Sequence, residues 1–172
     1  KLKDAIVRFP EGTLQFEIGI QTFNVDVQAR ISRKQKNELA KENILWLGEH
    51  SGAHLHVDLI AGLPGETVDS FAEGFNKLVA LKPHEIQFGI LKRLRGTPIA
   101  RHTQEYQLRF NPAPPYNILS TNCIDFAQMQ QLSRFSRYWD ILANSGRYTN
   151  TLQLILADSA FQHFYDLTQW LY

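Results

Sequence analysis

Seven polar side chains are spaced as groups that could do chemistry: Glu17, Gln21, Arg33, His54, His56, Asp58 and Glu66. His54-Leu55-His56 puts two imidazoles on one face of an extended strand, and Asp58 continues the row, because strand side chains alternate in direction. Such a row suits either a metal ion, with Asp58 as the one evident third ligand, or ordinary hydrogen-bonded strand polars. Arg33 offers a planar fork matched to a carboxylate. The run Asp58-Leu59-Ile60-Ala61-Gly62-Leu63-Pro64-Gly65-Glu66-Thr67 carries the most information. A strand ends near Ile60, a turn of Gly and Pro follows, and Thr67 is placed to cap a helix. Free backbone N–H groups converge at such a helix start, which suits phosphate, carboxylate or nucleoside groups. A purely structural turn is the plainer account of Gly62-Leu63-Pro64-Gly65. No G-x-S-x-G, P-loop or G-x-G-x-x-G occurs, so hydrolase and kinase readings have no support.

Three strand-to-helix units must position these groups. Strands are expected over 15–21, 54–60 and 85–91, each with one apolar face (Phe16, Ile18, Ile20; Leu55, Val57, Leu59; Ile86, Phe88, Ile90) and one polar or glycine face. The spacing predicts helices over about 34–49 and 68–81, ended by Ser51-Gly52 and Lys82-Pro83, and a further helix after Arg95-Gly96-Thr97-Pro98. Strands joined by helices suit right-handed crossovers and a parallel sheet. The polar face has two explanations, an antiparallel sheet with one wet side or part of a (β/α) barrel lined by ligand contacts. The helical connections favour the second. Three units cannot close a barrel, which needs about 250 residues. Beyond Asn111-Pro112-Ala113-Pro114-Pro115, read as a rigid linker, a short strand over 116–119 and two long helices, 124–143 and 150 to the end, form a helical appendage. Arg134, Arg137 and Arg147 among its aromatics would bind an anion or, more simply, stack on rings.

Composition narrows the partners. The chain has 172 residues, 44% hydrophobic and 20% charged, with net charge +1. Scattered Lys and Arg argue against nucleic acid. No apolar run reaches the roughly 18 to 20 residues that span a bilayer, which argues against a membrane partner. One cysteine, Cys123, excludes an internal disulfide and a cysteine metal cluster. A cytoplasmic protein acting on a small molecule is expected. Lys1 opens the chain without Met and Tyr172 closes it inside an apolar helical pattern, so it is read as a fragment.

The ordered set Phe16-Glu17-Ile18-Gly19-Ile20-Gln21-Thr22-Phe23-Asn24, Ile31-Ser32-Arg33, Val57 through Thr67, and Leu91 through Gly96-Thr97-Pro98 resembles the second half of a radical S-adenosylmethionine enzyme over about residues 10–105. The oxygen-independent coproporphyrinogen oxidase type and the related cobalamin-binding enzymes are the most similar. The stretch from Ser133 to Gly146 resembles the C-terminal helical region of the cobalamin-binding group. The resemblance implies a partial (β/α) barrel. It also implies a 4Fe–4S cluster on three thiolates of C-x3-C-x2-C, and reductive cleavage of S-adenosylmethionine to a 5′-deoxyadenosyl radical. This chain lacks that cysteine motif, so the cluster ligands are expected upstream and the fragment alone is expected to be inactive, with no catalytic and no metal-binding residue of its own. Residue by residue, the resemblance assigns Gln21 to the fourth-strand glutamine, Arg33 to the cofactor's carboxylate and Asp58 to the ribose. Ile60, Ala61 and Gly62 fall to the segment against adenine.

The expected architecture is therefore α/β, three parallel βα units of a partial barrel over residues 1–110 and a helical accessory region over 111–172. Cobalamin is an optional further cofactor. Alternatives are a methylthiotransferase-like relative, whose accessory domain the tail does not resemble, and a non-enzymatic half-barrel binding module. An open sheet edge and uncovered apolar helix surface predict a homodimer.

Overall fold

The computed structural model describes all residues, Lys1–Tyr172. A short helix α1 (Leu2–Ile6) leads into β1 (Gln15–Gln21), α2 (Val25–Arg30), α3 (Asn37–His50), β2 (His54–Ala61), α4 (Val68–Ala80) and β3 (Glu85–Ile90). The strands form one parallel sheet in the order β1-β2-β3, with helices on one face. This is the partial barrel expected from the helical connections, and it does not close.

Each element has a local cause. The β2 alternation is complete: Leu55, Val57, Leu59 and Ala61 are buried, while His54, His56, Asp58 and Ile60 are half-exposed. Thr67 caps α4 by accepting from the Ser70 N–H. Phe71, Phe75 and Leu78 lie buried at helical spacing along α4. The expected helix over 34–49 begins instead at Asn37, preceded by the separate α2. The Asn24 side chain starts α2 by accepting from the Asp26 and Val27 N–H groups.

After β3, residues Pro98–His102 form a single 3-10 turn rather than a full helix. The expected linker is the loop of a small hairpin, β4 (Arg109–Phe110) with β5 (Ile118–Ser120). Then come α5 (Phe126–Trp139), a π turn (Asp140–Asn144), α6 (Thr149–Leu156) and α7 (Ala160–Trp170). Asp125 and Gln128 make a reciprocal capping box at the start of α5. The last expected helix is two, because Ala157 breaks it with φ +30°.

The appendage packs on the sheet and its helices. Phe135 and Trp139 of α5 and Phe161 and Phe164 of α7 join Phe71, Phe75 and Phe88 in one continuous core. Its side chains also complete the outer edge of β3. Asn144 accepts from the Ile86 N–H at 3.2 Å and donates to the Ile86 carbonyl at 3.0 Å, and Ser136 donates to the Phe88 carbonyl at 2.6 Å. No strand pairs with the outer edge of β1. Arg134 lies 4.1 Å above the Tyr172 ring and donates to Gln169, so one of the three appendage arginines does stack on an aromatic.

Candidate functional site

The C-terminal ends of β1, β2 and β3 and the segments that follow them build a double cleft around Ile60. On one side is an apolar cavity of about 180 Å³ walled by Ile31, Ile60, Leu63, Pro98 and Ile99, with Gln21 at its edge. That volume is below the roughly 300 Å³ where drug-sized sites begin. On the other side is a cavity of about 270 Å³ with Gln21, Asp58, Gln87, Gly89 and Lys92 around it. The 3-10 turn closes the apolar side because it is tied to the end of α2. Arg101 donates to Ser32 Oγ at 2.7 Å and to the Arg30 carbonyl at 3.1 Å.

Gln21 has a left-handed backbone, φ +66°, at an irregularity where the β1 register shifts between Gly19 and Gln21. A Cβ at Gly19 would lie 2.5 Å from Gln21 Nε2, so the end of that side chain would have to shift. Arg33 donates from Nη2 to the Gly19 carbonyl and from Nε to Gln35 Oε1 at 3.0 Å. It is exposed.

Asp58 lies on the same open face. Its Oδ1 is buried and has no hydrogen bond. His56 Nε2 is 3.3 Å away but is hydrogen-bonded to Gln87 Oε1 at 3.2 Å. Burial raises the Asp58 carboxyl above its usual range, Glu17 adds to the rise, and His56 and Arg33 oppose it. The remaining sequence candidates divide. Ile60 separates the two cavities. Ala61 is fully buried on the opposite face, and its carbonyl accepts from the Leu91 N–H at 3.0 Å. Gly62, φ +88°, is required by packing, since a Cβ would meet Ile118 at 2.6 Å and Met129 at 3.1 Å.

The imidazole row is engaged by an acid. Glu85 of β3 sits 3.1 Å from His54 and 3.2 Å from His56 through its two oxygens. No group of three His, Cys, Asp or Glu is placed to hold a metal ion. The sequence reading missed three contributors. Pro98 and Ile99 form a cavity wall that the Gly96-Thr97-Pro98 turn signalled only as a helix start. Thr22, which donates to the buried Glu66, gave no signal because the partner is 44 residues away.

A family described as "Protein of unknown function (DUF4080)" matches residues 104–172, the hairpin and the helices after it. Oxygen-independent coproporphyrinogen III oxidase from Paracoccus denitrificans is 32% identical over 75 residues, which are 44% of this chain and 17% of that protein. The Escherichia coli enzyme is 32% identical over 76 residues, with the same two shares. The matched part of this chain thus spans about a sixth of those relatives. Among solved structures, coproporphyrinogen III oxidase from Escherichia coli, a radical SAM enzyme, matches 78% of this chain and 27% of its own, with TM-score 0.52 and 22% identity. The radical S-adenosylmethionine methyltransferase TsrM from Kitasatospora setae covers 65% and 22%, with TM-score 0.50 and 16% identity. The resemblance drawn from the motifs is borne out: this chain is similar to the coproporphyrinogen oxidase type of radical S-adenosylmethionine enzyme and shares its α/β fold. No helix is long and apolar enough to cross a membrane.

Proposed function

We propose that this chain forms the S-adenosylmethionine-binding C-terminal part of a radical S-adenosylmethionine iron–sulfur oxidoreductase, coproporphyrinogen-oxidase-like or cobalamin-dependent, with a small-molecule substrate. The observation that carries this reading is the buried Oδ1 of Asp58, without a hydrogen bond, in the cavity across Ile60 from the small apolar one at the C-terminal ends of parallel strands. A buried acceptor without a donor is costly, and a ligand hydroxyl would satisfy it. The residues present fit S-adenosylmethionine. Asp58 would accept from the ribose, and Ile31, Ile60 and Ile99 would cover the adenine. Nη1, the one guanidinium nitrogen of Arg33 committed to neither Gly19 nor Gln35, would meet the carboxylate. They do not fit a 4Fe–4S cluster, because Cys123 is the one thiol. When bound and reductively cleaved, S-adenosylmethionine supplies radical chemistry, for which this chain contributes binding and orientation alone. The chain by itself is accordingly expected to bind but not to cleave.

Titration of S-adenosylmethionine followed by amide NMR tests the reading. Saturable shifts at Gln21, Asp58, Ile60 and Ile99, lost in Asp58→Ala, are expected. Shifts confined to other surfaces, or an unchanged response in Asp58→Ala, would overturn it.

A further inference from the structure

A second cavity lies at the opposite end of the sheet from the cleft. It has a volume of about 240 Å³ and forms where the start of β3 meets the end of α4, the π turn and α6. Val79, Ile86, Leu152 and Leu156 give it apolar walls. An apolar cavity of about 150 Å³ is enough to hold a benzene ring. The frame is fixed, because Asn144 ties the π turn to the Ile86 N–H and carbonyl. Such π turns are rare and gather at functional sites.

The polar part of the lining includes Trp139, Lys82, His84 and Thr149, and no Asp or Glu. Trp139 is 4% exposed, and its indole N–H is buried without an acceptor. The rings of Phe75, Phe135 and Phe164 pack on it with centroids 4.8, 6.1 and 5.0 Å away, and none carries an oxygen or nitrogen acceptor. A sealed donor in that state is costly. His84 Nδ1 accepts from the Leu55 N–H at 3.0 Å, so the neutral ring carries its proton on Nε2 and can donate from there. Lys82 is exposed and holds a left-handed backbone, φ +51°, just past the end of α4, where glycine is the usual residue. Thr149 opens α6, whose N-terminus has neither a side-chain cap nor an acid in its first turn. The unbonded N–H groups of such a terminus carry partial positive charge. The carbonyl end of α4 opposes an anion, and the Lys82 ammonium offsets it there.

We propose that this cavity binds a small carboxylic acid with an apolar body, its ring or chain against Ile86, Leu152 and Leu156 and its carboxylate among Trp139, Lys82, His84 and the start of α6. A carboxylate suits this set because it accepts through two oxygens, donates nothing and matches the single charge of Lys82. The apolar walls favour a ligand with hydrocarbon to bury over a hydrated inorganic anion. The site is separate from the cleft and does not depend on the S-adenosylmethionine reading.

Titration of benzoate into the full chain, followed by amide and indole N–H NMR, tests the proposal. The Trp139 indole N–H should move downfield and saturate, with the amides of Ile86, Thr149 and Leu152 in step. The indoles of Trp46 and Trp170 and the amides of Gln21 and Asp58 should stay in place. Benzyl alcohol, the same ring without the charge, should bind several-fold more weakly. Trp139→Phe keeps a ring and drops the donor, and should weaken benzoate about tenfold. Lys82→Met changes an exposed side chain and should weaken it about threefold, so the proposal remains testable if Trp139→Phe fails to fold. A Trp139 indole that ignores benzoate, equal binding of benzyl alcohol, shifts centred on the cleft, or an affinity unchanged by Lys82→Met would overturn it.

Discussion

The two faces of the β1-β2-β3 sheet are made by the same three strands and are held by different forces. On one face Leu55, Val57 and Leu59 of β2 and Phe88 of β3 are buried against helices. On the other, His54, His56, Asp58 and Glu85 make polar contacts that are incomplete, since Asp58 Oδ1 has no hydrogen bond, with His56 Nε2 3.3 Å away. A one-residue step along a strand thus separates the packed face from the open one. The sheet edges differ in the same way: side chains of the appendage satisfy the β3 edge, while the β1 edge has no partner strand.

The comparison breaks most severely at the aromatic core. Phe135 is fully buried, with its ring 4.8 to 5.1 Å from those of Phe75, Phe88, Phe161 and Phe164. Phe135→Ala should cost about 3 to 5 kcal/mol of stability, read by denaturant unfolding. A loss under half that would mean the appendage is not integral to the core.

Glu66 gives the next largest effect. Its folded-state carboxyl lies at about 7 against 4.5 for the free side chain. Between those values the folded chain binds more protons than the unfolded one, so stability falls as pH rises. The loss should total roughly 3 kcal/mol across the window and level off above it. Unfolding free energies for the wild-type chain and Glu66→Gln across that range check the sign, and the variant should show no such slope.

On the open face, Asp58→Ala should weaken S-adenosylmethionine binding by about 1 to 3 kcal/mol while leaving stability nearly unchanged. Arg33→Lys should weaken it less, because a lysine lacks the planar fork. His54→Ala should matter least, lying toward the N-terminal end of the strand while barrel sites lie at the C-terminal end. Calorimetry gives the order, and dominance of His54 would reverse the assignment of the two ends.

The smallest effect concerns the edges. Asn144→Ala would strand the Ile86 N–H and carbonyl and cost about 1 kcal/mol. Sedimentation of the unaltered chain at micromolar concentration should show self-association through the bare β1 edge. A strictly monomeric chain would mean that edge is protected in another way.

Much of this was legible in the residues. Period-two alternation located the three strands, and the helices between them gave the parallel order, because such crossovers are right-handed. Gln21, Asp58 and Ile60 were read correctly onto the open face. Ala61 and Gly62 were not distinguishable from them by motif alone. Only the packed structure shows that Ala61 turns into the core and that Gly62 leaves room for Ile118 and Met129, 56 and 67 residues away.

Local sequence determined what depends on neighbours: strand alternation, the Thr67 and Asn24 caps, the glycine turn and the lack of cluster cysteines. Tertiary structure decided what depends on contacts between distant segments. It folded the appendage into the sheet's own core, sealed the β3 edge with Asn144, and closed the apolar cavity with Arg101. It also buried Glu66 against Thr22 and so raised its carboxyl to about 7. Desolvation and hydrogen bonding act through space, and spacing along a chain does not record which remote side chain will supply them.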